Sequence, residues 1–160
     1  MLFGVAAIFI LLFGSVVFFG PPYLPTLHVQ IEVALDLLAL DPGQTLLELG
    51  CGDGRVARAA ASRGLCVVGI ELNPVLVIVS RVVTWRYRKS VRILWGSYWK
   101  VKWPEADGIF TFMIGRQMTT LDDHIEAWHK KPVRLASFAF AIPNKKPAQE
   151  RQGVLLYLYG

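Results

Sequence analysis

Cysteine is scarce in this chain of 160 residues, which has only Cys51 and Cys66. Two cysteines make neither a disulfide framework nor a zinc site, and they are compatible with a reducing compartment. Histidine is almost as sparse, at His28, His124 and His129. The step from His124 to His129 fits no helical ligand pair, so no metal is expected and the Asp122–His129 stretch reads as a solvated helix face. Internal repeats and low-complexity segments are absent, which excludes solenoids and repeat arrays. The length leaves no room for two independent cores. Charge is missing altogether from residues 1–19, and no Lys or Arg occurs between that run and Arg55. The charge asymmetry that orients membrane helices is therefore silent here.

What is present begins with that uncharged run, MLFGVAAIFILLFGSVVFF. As a helix it would span ~28 Å at ~1.5 Å per residue, close to the ~30 Å hydrocarbon core of a bilayer. It has no basic leading segment and no small-x-small cleavage site, so it does not read as a cleaved signal peptide. It has no polar stripe, so it does not read as a surface helix on a core. Residues 1–20 are expected to be a single-pass membrane anchor, with the lipid bilayer as a partner. Hydrophobic residues make up 54% of the chain, and much of the excess lies in this run; the net charge is +5. Gly20-Pro21-Pro22-Tyr23-Leu24-Pro25-Thr26 cannot continue a helix and reads as an extended linker. Thr26 is placed to cap a helix carrying Val29, Val33, Leu37 and Leu40 at helical spacing, stopped by Asp41-Pro42-Gly43.

From there strand and helix patterns alternate. Strands are expected at Thr45–Leu49, Cys66–Ile70, Val91–Trp95, Gly108–Phe112, Arg134–Ile142 and Val154–Tyr159. Helices are expected at Arg55–Ser62, at Pro74–Arg86 with proline in its first turn, and at Met118–His129. A polar Pro-Asn-Lys-Lys-Pro loop precedes the final strand. The expected organisation is an anchor (1–20), a linker and leading helix (21–44), and one α/β domain (45–160). That domain is Rossmann-like and doubly wound, with a mainly parallel sheet carrying helices on both faces.

The stretch that carries chemistry is Glu48-Leu49-Gly50-Cys51-Gly52-Asp53-Gly54, between the first strand and its helix. Ligands of doubly wound folds bind at this edge, and glycines let the backbone turn and approach them. Glu71 ends the next strand, where a carboxylate can accept both ribose hydroxyls of an adenosine. A dinucleotide calls for G-x-G-x-x-G, with pyrophosphate on the helix N-terminus. Here the spacing is G-x-G-x-G, Arg55 replaces the third glycine, and Glu48 and Asp53 would repel a pyrophosphate. S-adenosyl-L-methionine (SAM), with its ammonium and sulfonium, suits an acidic glycine turn better.

The same residues resemble the class I, seven-strand methyltransferases. More narrowly, the chain is similar to the membrane-anchored lysine methyltransferases, a family that includes the mitochondrial enzymes acting on the ATP synthase c-ring protein and the adenine nucleotide translocase. The likeness runs through Tyr23-Leu24-Pro25-Thr26, Glu48–Val56, the long stretch Gly69–Arg86, Tyr98-Trp99-Lys100 and Phe112-Met113-Ile114-Gly115 with Met118. It implies SAM as cofactor and a site of Tyr23, Pro25, Thr26, Glu48, Gly50, Cys51, Gly52, Asp53, Gly54, Glu71, Leu72, Asn73, Ser97, Tyr98 and Trp99. It also implies a lysine of a membrane protein as acceptor. Ser97 stands where the family has an aspartate for the adenine amine. Ala139-Phe140-Ala141-Ile142-Pro143 only partly matches the family's Arg-Phe-Pro-Phe-Pro run.

The acceptor pocket is expected where the fourth strand exits, at Phe112, Met113 and Gly115; ordinary strand packing explains those residues equally well. No catalytic base stands out, and methyl transfer needs neither a base nor a metal. A small molecule, a lipid or RNA remains open as acceptor, as does a silent SAM-binding scaffold. Trp85-Arg86-Tyr87-Arg88-Lys89 and the Trp95–Trp103 segment interleave aromatics with cations. That pattern serves either nucleic acid or a bilayer interface, and the anchor favours the bilayer. SAM is a cytosolic metabolite, so the domain is expected on the cytoplasmic side of the membrane.

Overall fold

The computed structural model describes residues 25–160, so the expected anchor and Tyr23 lie outside the described residues. Among the described residues no helix is long and apolar enough to cross a membrane. The chain runs α1 (His28–Leu38), β1 (Thr45–Leu49), α2 (Arg55–Ser62), β2 (Cys66–Glu71), α3 (Pro74–Val83), β3 (Val91–Trp95), β4 (Gly108–Thr111), α4 (Met118–Trp128), β5 (Val133–Phe138), β6 (Gln149–Arg151) and β7 (Val154–Tyr159). Short 3-10 turns occupy Trp85–Tyr87 and Gly115–Gln117.

The strands form one seven-stranded sheet in the order β3-β2-β1-β4-β5-β7-β6. The first five are parallel, and β7 runs antiparallel to both β5 and β6. The chain order reverses beside β1, so the carboxyl ends of β1, β2 and β4 meet at one edge. Period-two alternation sorts the side chains. Leu46 and Phe110 face a cluster with Ile31, Leu38, Val56 and Ala60, whereas Leu47, Leu49 and Ile109 face Met118, Leu121, Ile125 and Trp103.

The leading helix differs from the expected one at its start. Its N-cap is Leu27, with no side-chain cap bond. Thr26 is buried, and its carbonyl accepts from Arg55 Nη1 at 3.4 Å, which ties the incoming chain to the β1–α2 turn. Its far end is capped from a distance: Arg134 Nη1 donates to the Leu38 and Ala39 carbonyls at 2.7 and 2.8 Å, a cation on the negative end of the helix.

Several boundaries move for local reasons. β4 stops at Thr111 and β5 at Phe138. Ala139 is left-handed at φ 67°, and the Ser137 hydroxyl donates to the Phe140 carbonyl at 2.7 Å, closing a turn where the sequence pattern predicts a longer strand. α3 ends at Val83 and tightens into the 3-10 turn before Arg86. The polar segment before β7 is partly a strand: β6 pairs through a two-residue Gln152-Gly153 turn in which both residues have positive φ, 49° and 76°. No helix connects β3 to β4. Residues 96–107 fill that side with Tyr98, Trp99, Val101 and Trp103, so the second face of the sheet carries α4 alone.

Candidate active site

The carboxyl edge of β1 opens into Gly50-Cys51-Gly52-Asp53-Gly54, in which the three glycines have φ 78°, 54° and 80°. Such angles suit glycine because a Cβ would crowd the backbone. A side chain at Gly54 would also collide with α3, its Cβ lying 2.9 Å from Ser80 Cβ and 3.0 Å from Ser80 Cα. At Gly50 nothing lies within 4 Å, so that side of the turn is open to a ligand. Cys51 is buried against Gly69, whose missing side chain makes its room. Its thiol is pushed up by burial, with the carboxyls of Glu48 and Glu71 adding to the effect.

Glu71 does more than end β2. Its Oε2 accepts the Gly52 N–H at 2.9 Å and its Oε1 accepts the Asn73 N–H at 2.8 Å. One carboxylate therefore holds the glycine turn and the start of α3 together. Each oxygen retains a lone pair for a further donor. Asn73 caps α3 by accepting the Val75 N–H at 2.9 Å, with Pro74 at the first helical position. Replacing Glu71 by alanine is expected to orphan both backbone donors. That costs about 1–3 kcal/mol and lowers the melting temperature by several degrees as well as weakening cofactor binding. Thermal melts and calorimetry of Glu71→Ala check both. Unchanged stability with unchanged affinity would remove Glu71 from the site.

Glu48 is only 2% exposed, and its Oε2 has no hydrogen-bond partner. It points to the α2 side of the sheet, between Gly69 and Phe110 in register. Burial pushes its carboxyl well above the ordinary range, and the charges of Asp53 and Glu71 push the same way; the Ala57 N–H opposes them. Asp53 pairs with Arg55 at 2.7 Å. The turn thus contains a buried acid suited to an incoming cation.

On the adenine side expected from sequence, Ser97 Oγ accepts the Trp99 N–H at 3.3 Å. Tyr98 packs edge-on to Trp99 with centroids 4.9 Å apart, and its hydroxyl reaches Gln117 Oε1 at 3.2 Å. Leu72 is exposed and its carbonyl accepts from Trp95 Nε1 at 3.1 Å. Pro25 is exposed beside buried Thr26. His124 packs on the Trp103 ring at 4.5 Å, as part of α4's seat on the sheet.

The expected acceptor residues separate. Met113 is buried in the core, packed with Leu49, Ile109 and Met118. Phe112 instead meets Phe138 and Phe140 with ring centroids 4.7 and 6.3 Å away, and Gly115 lies against Phe140. This aromatic group at the ends of β4 and β5 is not apparent in the sequence. It depends on the bend at Ala139, which brings Phe138 and Phe140 back toward Phe112. Thr111, also fully buried, leaves its hydroxyl without a partner beneath this edge.

The seven-strand order, the reversed β7 and the acidic glycine turn together define the fold of the SAM-dependent methyltransferases. The solved RNA methyltransferase from Salinibacter ruber in complex with S-adenosyl-L-homocysteine superposes with a TM-score of 0.77 over 85% of this chain and 92% of its own, at 24% identity. The chain belongs to the family described as the ANTKMT methyltransferase domain, which matches residues 48–149. It is 32% identical over 128 residues to the human (Homo sapiens) lysine N-methyltransferase of the ATP synthase c-ring protein, covering 79% of this chain and 54% of that protein. It is 33% identical over 129 residues to the Mus musculus adenine nucleotide translocase lysine N-methyltransferase, covering 79% and 56%. The chain thus spans about half the length of these relatives. The site also fits the family's cofactor, SAM: an unpartnered buried acid for a cation, an open glycine face and a second acid beside them.

Proposed function

We propose that this chain is a SAM-dependent protein-lysine methyltransferase held at a membrane by residues 1–20, with its domain on the cytoplasmic side and a lysine of a membrane protein as acceptor. The observation that carries the reading is the buried Glu48 oxygen without a partner, at the mouth of the glycine turn, in a chain of this family. The lysine acceptor is supported by the names of both relatives, and the membrane by the uncharged run at residues 1–19.

When bound, the cofactor supplies a methyl group already activated on a sulfonium, so the protein's task is to position and to desolvate. Glu48 would take the ammonium end and Glu71 the ribose hydroxyls. Gly50 and Gly52 let the backbone close on the ligand, with Cys51, Asp53 and Gly54 completing the turn. Leu72, Asn73 and Ser97–Trp99 flank the far side, and the Tyr23–Thr26 segment approaches along the tie from Arg55 to Thr26. A lysine amine attacks only when neutral. The aromatic group of Phe112, Phe138 and Phe140 offers an apolar approach that lowers its pKa, and its proton leaves to solvent.

Incubating the full chain with methyl-labelled SAM and a membrane fraction is expected to place label in methyl-lysine of an integral membrane protein. Label in lipid, in RNA or nowhere would overturn the reading. Comparing methyl-lysine in membrane and soluble proteomes with and without the gene gives the second check, with losses expected in the membrane set.

A further inference from the structure

The outer face of α3 is apolar where a surface helix is ordinarily polar. Ile78, Val82 and Trp85 recur at helical spacing and are 63%, 70% and 65% exposed, while the inward positions Val77, Ser80 and Thr84 are buried. Beside them, on the edge strand β3, Trp95 is 66% exposed. One flank of the domain therefore presents an aliphatic stripe with an exposed tryptophan on the helix side and another on the strand side.

The charge around the stripe has one sign. No Asp or Glu occurs between Glu71 and Glu105. Arg81, Arg86, Arg88, Lys89 and Arg92 are all exposed in that interval. Arg88 lies over the Trp85 ring at 5.1 Å, and Arg81 reaches the Ile93 carbonyl at 3.0 Å, so these cations border the apolar surface. Aliphatic side chains ringed by tryptophan and arginine fit the headgroup layer of an anionic bilayer, where each part meets its complement.

We propose that the α3–β3 flank docks on an anionic lipid surface, as a membrane contact separate from residues 1–20. Nucleic acid matches the cations but leaves Ile78, Val79 and Val82 with nothing to bury against. A two-fold pairing of this chain through the same face sets its arginines against each other. Docking also has a consequence for the site. α3 starts at Asn73, next to Glu71, so the cofactor edge lies at one end of the docked flank, within reach of a loop at headgroup height. The proposal concerns how the domain sits and stands apart from the methyl-transfer reading, because its test does not read activity.

The test uses the full chain in nanodiscs of phosphatidylcholine and phosphatidylglycerol brominated near the headgroup, with tryptophan quenching as readout. Quenching is expected, and Trp85→Phe and Trp95→Phe should each remove part of it, whereas Trp103→Phe, buried in the core, should not. The Trp85 and Trp95 share should fall severalfold in pure phosphatidylcholine, in 1 M salt, or in Arg86→Gln with Lys89→Gln, since each surface cation contributes a factor of about five. Quenching indifferent to Trp85 and Trp95, or equal in zwitterionic lipid, overturns the proposal. So does single-stranded RNA that displaces the lipid, or a Val82→Cys label that crosslinks to a second copy or to residues 1–24.

Discussion

Replacing Glu48 by glutamine is expected to stabilise the ligand-free protein and to weaken SAM binding by about 10- to 100-fold, the 1.5–3 kcal/mol of a charge-assisted contact. The two effects have opposite signs because Glu48 is held above the ordinary carboxylate range by burial, with Asp53 and Glu71 adding to it. An acid whose pKa is raised on folding binds its proton more tightly in the folded state. Folding stability is therefore greatest at low pH and falls as pH rises from the unfolded carboxylate value, about 4.3, through the folded one. Glu48→Gln lacks that loss, so its advantage in melting temperature should grow over this interval. A bound cation reverses the preference of Glu48 and draws off its proton. Binding calorimetry of the wild type should then show an enthalpy that depends on the ionisation heat of the buffer, and the variant should not. The Cys51 thiol is raised as well and stays protonated, so it does not supply that proton. Equal affinity in both proteins, with buffer-independent enthalpy in both, would separate Glu48 from the cofactor.

How much of this was legible in the sequence depended on whether the cause was local. β1, β3 and β7 have the expected limits, because each is an apolar run closed by a glycine or by a break in pattern. α2 does too, its alanine-rich stretch being fixed by Gly54 and Gly64 on either side. β6 was invisible: Gln149–Arg151 is wholly exposed, and its pairing comes from the Gln152-Gly153 turn rather than from alternation. The end of β5 depends on Ser137 and on the Ala139 N–H reaching the Gly153 carbonyl at 2.8 Å, a partner set by the hairpin. At the site, the acidic turn and Glu71 could be read from spacing. That Glu71 braces two backbone N–H groups could not, nor could the missing partner of Glu48, since both depend on which strands lie side by side. Met113 shows the converse limit: it follows the strand like its neighbours, yet alternation sends it into the core and Phe112 to the other side.

The largest loss of stability is expected from Gly54→Ala. Gly54 stands at φ 80° as the residue before α2, where an L side chain meets a backbone cost of about 1–2 kcal/mol. It also faces Ser80, with a new Cβ 3.0 Å from Ser80 Cα, which cannot rotate away as a side-chain tip could. Overpacking of that kind adds about 1–3 kcal/mol, for a total of about 2–5. At about 2–4 °C per kcal/mol for a chain of this size, the melting temperature should fall by roughly 5–15 °C. Gly50→Ala separates strain from collision. Its φ of 78° is nearly the same, but its Cβ would meet nothing within 4 Å. It should lose only the backbone share of stability, and weaken SAM binding because the added methyl enters space left for the ligand. Ser80→Gly combined with Gly54→Ala should recover part of the loss, as a favourable coupling in a double-mutant cycle, because it removes the Cβ that lies 2.9 Å away. Equal melting temperatures for Gly50→Ala and Gly54→Ala, with no coupling to Ser80, would show that the close approach of α2 to α3 does not hold this turn in place.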